Sequence, residues 1–186
     1  MTSKKRSWTD VLKLIIILLL LVLIVRMFTF NPLIVEGPSM QPTLVNDDRI
    51  IIDKISLLFK NPDRFDIVVF HTTSKKNYIK RIIGLPGETI EYKNDILYIN
   101  NEPVEEPFIS SVKEQLPLNA RYTTDFSLME DIPGGYEEVP EGHVFVLGDN
   151  RPNSTDSRQL GYIPVQQITG IARFTYWPLK DFGLIE

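Results

Sequence analysis

From Leu14 to Val25 the chain reads LIIILLLLVLIV, an aliphatic run with no polar side chain in it. With Val11, Leu12, Met27, Phe28 and Phe30 it approaches the roughly 20 apolar residues that cross a bilayer core, and Lys13 and Arg26 stand where their heads can snorkel to the interfaces. A cleavable leader needs a short apolar core followed by small residues at a cleavage site. Here MFTFNPLIVE follows, and the first alanine of the chain is Ala120. Residues 11–30 are therefore expected to form an uncleaved transmembrane helix. Lys4, Lys5 and Arg6 precede it, whereas Glu36, Asp47 and Asp48 follow. The positive-inside rule then keeps residues 1–10 in the cytoplasm and puts 31–186 on the extracytoplasmic side of the cell membrane.

Beyond the span the pattern changes to short β-rich runs bounded by turn residues: 49–52, 66–70, 78–83, 89–92, 96–99, 143–147 and 171–177. This predicts a mainly β fold, a transmembrane helix followed by a mostly antiparallel domain. Lys93, Asn94 and Asp95 separate ETIEY from ILYIN and read as a hairpin turn. One helical turn is expected near Pro164–Ile168. From about 103 to 142 the alternation gives way to proline, glycine and acidic residues, which we read as a variable insertion in the β domain.

Composition removes several classes of function. The net charge of -4 and the lack of a basic tract beyond the N-terminus argue against nucleic acid as a partner. With no cysteine there is no thiolate nucleophile, disulfide or cysteine zinc site. His71 and His143 are the sole imidazoles and no HExxH occurs, so a metal site is not expected, and the serine chemistry read below needs no cofactor.

Three polar blocks remain: GPSMQPTL (37–44), YIKRIIGLPGE (78–88) and GDNRPNSTDSR (148–158). Ser39 lies between Gly37-Pro38 and Gln41-Pro42, a non-helical frame that can hold a hydroxyl in one direction. Locally it reads as a turn serine or as a nucleophile, and a nucleophile needs a base. His71 and His143 stand at strand ends. Lys80 lies within YIKRIIG, where alternation puts Ile79 on the opposite face. Deprotonating an ordinary lysine at pH 7 costs about 4.6 kcal/mol, so a lysine base needs an apolar, desolvated setting. A surface lysine is the competing local reading.

Taken together and in this order, the three blocks resemble the signature of the type I signal peptidases, the bacterial leader peptidase family of membrane-bound Ser/Lys serine proteases. The resemblance implies a catalytic β domain of the signal peptidase type, with Ser39 as nucleophile and Lys80 as general base. It implies Ser154 as the hydroxyl that orients the lysine, and Asp156, Arg158 and Arg81 as a supporting ion-pair network. Asp149 and Asn150 are expected to shape the loop. Shallow pockets for small side chains at positions -1 and -3 of a signal peptide would be lined by Val35, Met40 and Ile79. Two positions depart from the family pattern. Phe65 stands in RFDIVVF where glycine is usual, and Gly37 stands where some members carry a serine that helps bind the oxyanion.

The expected function is thus a membrane-bound serine endopeptidase that cleaves signal peptides from exported preproteins through an acyl-enzyme. Its partners would be those signal peptides and the lipid bilayer; oligomeric state is not encoded in any feature of the sequence. Two rival readings stand beside it. A self-cleaving Ser/Lys protease of the repressor type lacks the anchor and acts in the cytoplasm, and a membrane-tethered, non-catalytic binding module for exported chains would have no use for Ser39 and Lys80.

Overall fold

The computed structural model describes residues 8–72, 76–118 and 120–185, with the side chains of 22–31 excluded. Lys4, Lys5 and Arg6, and the side chains of Arg26, Met27, Phe28 and Phe30, lie outside the described residues. The strands in chain order are β1 (Phe30–Ile34), β2 (Arg49–Asp53), β3 (Ile67–His71), β4 (Asn77–Gly84), β5 (Ile90–Lys93), β6 (Ile96–Ile99), β7 (Glu102–Val104), β8 (Phe126–Ser127), β9 (His143–Leu147), β10 (Ile163–Pro164), β11 (Ile168–Trp177) and β12 (Gly183–Leu184). The helices are α1 (Trp8–Thr29), α2 (Ser56–Phe59), α3 (Pro107–Lys113), α4 (Leu128–Asp131) and α5 (Ser157–Leu160).

A larger sheet runs β1-β2-β11-β3-β4-β9-β10, with β12 added to β11, and a smaller one runs β7-β6-β5-β8. Every pairing is antiparallel, as the alternating runs predict. The β5–β6 hairpin closes on Asn94 and Asp95, both at positive φ, the geometry of the two-residue turns that match strand twist. A 3-10 turn at Val165–Gln167 occupies the expected 164–168 segment. β1 carries no strand signal in the sequence, because FNPLI follows the apolar run directly and its Asn31-Pro32 pair reads as a turn.

The interior divides by strand face. On β4, Tyr78 and Ile82 pack with Val68, Phe70 and Val146, whereas Ile79 packs with Val35, Met40 and Leu44. The smaller sheet closes over Ile83, Phe145 and Leu147 from the ends of β4 and β9, and Ile132 and Val139 of the 103–142 region join the same cluster. That region is therefore built into the domain, with α3, β8 and α4 inside it.

Helix α1 continues for 22 residues and meets β1 with no intervening loop. Its side chains from Leu14 to Leu21 are apolar and exposed. Among the described residues, whose side chains in α1 end at Leu21, no helix is long and apolar enough to cross a membrane.

Phe65, in the turn before β3, has φ 68°. That left-handed conformation explains the preference for glycine at this position, since a Cβ there costs roughly 1–2 kcal/mol. The Phe65 ring is partly buried and meets Phe108 edge-on at 5.3 Å. Replacing Phe65 by Ala or by Gly removes this packing, but Gly alone also removes the backbone cost. Phe65→Gly is expected to unfold at higher urea than Phe65→Ala, by about 1 kcal/mol. Equal stability of the two variants would contradict this account.

Candidate active site

Ser39 is carried on a turn secured from below. Gln41 N–H donates to Pro38 O and Leu44 N–H to Met40 O, while the Met40 and Leu44 side chains are buried in the β2–β4 core. Gly37, at φ 86°, bends the chain into this turn and donates its N–H to Asn46 Oδ1. The result leaves Ser39 half-buried with its hydroxyl facing β4.

Lys80 arrives from β4, paired with Val68 of β3. Its Nζ donates to Ser39 Oγ at 2.6 Å and to Ile79 O at 2.8 Å. Only 2% of the residue is exposed. Burial pulls its pKa down from 10.5 to about 8, against the opposing charges of Asp156 and Asp149. The sequence-predicted pair is thus brought within hydrogen-bond distance from positions 41 residues apart.

The polar loop after β9 packs against both. Asn150 N–H donates to Ser39 O at 3.0 Å and its side-chain amide to Pro38 O at 3.1 Å. A Cβ on Gly148 would fall 2.5 Å from Ser39 O and collide with Ser154 Oγ. Glycine here is what permits the loop to approach Ser39 so closely. Ser154 Oγ is buried and makes no hydrogen bond, so the expected bond from this hydroxyl to Lys80 is not formed. The ammonium of Lys80 is directed instead to Ser39 and to Ile79 O.

The expected ion-pair network divides in two. Asp156 pairs with Arg158 at 2.9 Å, caps α5, and accepts Gly148 N–H at 3.0 Å. Arg81 forks onto Asp149 through Nε at 3.0 Å and Nη2 at 2.8 Å, a pair with both side chains buried. Thr43 Oγ1 donates to the same carboxylate at 2.5 Å, and Arg81 Nη1 donates to Phe65 O at 3.0 Å. Asp149 therefore does more than shape its loop: it joins β4, the Ser39 segment and the 148–158 loop. Sequence reasoning passed over Thr43, although it lies inside the GPSMQPTL block.

A cleft of about 520 Å³ opens beside Ser39 and Lys80. Val35, Met40 and Ile79 all line it, joined by Leu33, Tyr78 and Thr155. Neither histidine is among its lining residues. A buried amine bonded to an exposed-side hydroxyl, next to a cleft of mixed polar and apolar lining, is an arrangement able to activate an oxygen nucleophile against a bound chain.

Residues 8–177 match the family model described as "Signal peptidase, peptidase S26". Signal peptidase I of Bacillus caldolyticus is 48% identical over 158 residues, 85% of each chain. Signal peptidase I S of Bacillus subtilis is 41% identical over 182 residues, 96% of this chain and 94% of the relative. The crystal structure of a signal peptidase I from Enterococcus faecalis superposes with a TM-score of 0.57 at 45% identity, covering 60% of this chain and 97% of that one. The chain belongs to the signal peptidase family, peptidase S26, and is a serine endopeptidase of the signal peptidase I type.

Proposed function

We propose that this chain is a membrane-anchored signal peptidase whose chemistry is carried by a Ser39/Lys80 dyad. The carrying observation is the 2.6 Å contact between Lys80 Nζ and Ser39 Oγ, made by a lysine that burial has brought to a pKa of about 8. Once neutral, Lys80 accepts the Ser39 hydroxyl proton as Oγ attacks the scissile carbonyl. It then delivers that proton to the leaving amine, and the acyl-enzyme forms. Water activated by Lys80 releases the acyl group, which is the signal peptide.

Ser154 has a supporting part in this reading. A protonated amine has three donors, of which Ser39 and Ile79 O accept two, and the buried, unbonded Ser154 hydroxyl is assigned as the third acceptor. Asp156 with Arg158, and Arg81 with Asp149, hold the loop and strand on which these groups stand. Gly37 offers no side-chain donor to the oxyanion, so the Ser39 backbone N–H and a second backbone donor are assigned to it. Val35, Met40 and Ile79 would receive the small residues at -1 and -3, and the substrate backbone would lie as an added strand along the cleft.

Residues 11–30 are proposed to anchor the enzyme in the cell membrane, with 1–10 cytoplasmic, 31–186 outside, and 103–142 as the family-variable part of the outer domain. The support is the aliphatic sequence run from Leu14 to Val25, which lies within the 22-residue helix α1. The exposed apolar side chains of Leu14 to Leu21 support the same placement, because two turns of exposed aliphatic surface are unfavourable in water.

The deciding experiment is cleavage of a preprotein with an A-x-A site by the detergent-solubilised enzyme beside Ser39→Ala, with the new N-terminus sequenced. A cut directly after A-x-A that disappears in the variant is expected. Binding without cutting by the parent would leave the tethered binding module standing, and equal cutting by both would remove Ser39 as nucleophile.

The pH profile tests the base separately. Because burial lowers the Lys80 pKa, the neutral amine becomes the major form above pH 8. We expect kcat/KM to rise about tenfold per pH unit on the acid side and to level off near pH 8. A midpoint near 6.5 would point to histidine, and one above 10 to a solvated lysine.

A further inference from the structure

The 148–158 loop is gripped on its far side by the smaller sheet. Arg151 is buried and opens a 3-10 turn, Arg151–Asn153, that leads directly into Ser154. Its guanidinium reaches away from the dyad. Nε turns back to Gly148 O at 2.9 Å, Nη2 donates to Glu106 Oε1 at 2.6 Å, and Nη1 donates to Tyr92 Oη and, at 3.3 Å, to Thr123 Oγ1. Glu106 is the carboxylate that neutralises it, and both side chains are almost wholly shielded from water. Glu106 is in turn held by the Tyr92 hydroxyl and by Lys113 of α3, 3.2 Å from Oε2.

From this geometry we propose that Glu106 is a positioning residue for signal-peptide cleavage: through Arg151 it fixes the loop that presents Gly148, Asn150 and Ser154 to Ser39. The inference rests on the Ser39/Lys80 reading above. The route is short and continuous. Glu106 holds Arg151; Arg151 holds Gly148 O; and Asn150, the residue before Arg151, holds Ser39 O at 3.0 Å. An unpaired, buried guanidinium cannot stay where it is without its carboxylate, so loss of Glu106 draws Arg151 toward water and the loop with it. Displacing catalytic groups by about 1 Å can cost on the order of 100-fold in rate.

The experiment compares four full-length, detergent-solubilised proteins at a temperature where all are folded: the parent, Glu106→Ala, Glu106→Gln and Ile132→Ala. Ile132 is buried in the same hydrophobic cluster as Tyr92 and has no polar side-chain atom, so Ile132→Ala lowers the stability of that region without removing a hydrogen bond of the polar chain. Glu106→Ala is expected to lower kcat on the order of 100-fold with KM within about threefold. Glu106→Gln keeps the shape and an acceptor and should retain more activity than Glu106→Ala, with a loss of about tenfold. Ile132→Ala should keep kcat within about twofold despite a comparable fall in Tm. Should Glu106→Ala fail to fold, Glu106→Gln against Ile132→Ala decides. Parent-like kcat in the Glu106 variants, or an equal kcat loss in Ile132→Ala, overturns the inference and leaves the dyad intact. A parent that does not cleave overturns both.

Discussion

Lys80→Met is expected to abolish signal-peptide cleavage while leaving the domain folded, with kcat down by about 10⁴-fold or more. Methionine has nearly the length of the lysine stem and no charge, so it suits a site that is 2% exposed and lined by Ile79 and Tyr78. The stability consequence follows from the sign of the pKa shift. In the unfolded chain Lys80 titrates near 10.5 and in the folded domain near 8, so folding opposes the bound proton. The penalty is complete below pH 8 and is relieved as pH rises from 8 to 10.5. It amounts to something on the order of 3 kcal/mol, at about 1.4 kcal/mol per pKa unit. Against it stand the hydrogen bonds that Lys80 gives Ser39 and Ile79 O, each worth about 1 kcal/mol or more. The variant should therefore be at least as stable as the parent at pH 7, and its advantage should shrink between pH 8 and 10.5. Thermal unfolding across that range measures this. A parent and variant with parallel stability curves would mean that Lys80 is not desolvated.

Asp149→Ala should cost the most stability of any single polar substitution at the site, about 3–5 kcal/mol. Removing this carboxylate leaves the Arg81 guanidinium, 2% exposed, without the partner it binds through two nitrogens. It also strips Thr43 of its acceptor and so loosens the segment bearing Ser39. Asp66→Ala provides the comparison, since its partner Arg173 is 39% exposed and can turn to water. We expect that loss to stay near 1 kcal/mol. Urea midpoints for the two variants should differ clearly; equal values would show that the Arg81–Asp149 pair contributes no more than a surface contact.

These effects mark where sequence reading succeeds and where it stops. Strands β4, β6 and β9 were legible because alternation and turn residues are local properties, and so was the Asn94–Asp95 turn. Ser39 and Lys80 were legible as residues but not as a contact: that depends on the β3–β4 register, which pairs Val68 with Lys80, and on Met40 and Leu44 securing the turn. The 103–142 region stayed opaque for a physical reason. Its longest helix has seven residues and β8 has two, so it carries almost no periodicity. Its order comes from single side chains reaching far along the chain, such as Tyr122 Oη on Asp149 O at 3.0 Å and Glu106 on Arg151. Asp149 and Arg81 stand 68 residues apart, and no local pattern announces their meeting.

The junction at Thr29–Phe30, where helix passes into strand without a linker, turns β1 into a ruler. Five residues at ~3.3 Å each span only about 17 Å, and the Ser39 turn follows within a few residues more. In the proposed topology the site would thus stay within a short reach of the lipid. An Ala-x-Ala triplet deep within a folded, released protein would then be spared because it would not come within that reach, whatever the cleft would accept. Selection by altitude would let a shallow and permissive pocket act on a single bond per exported chain.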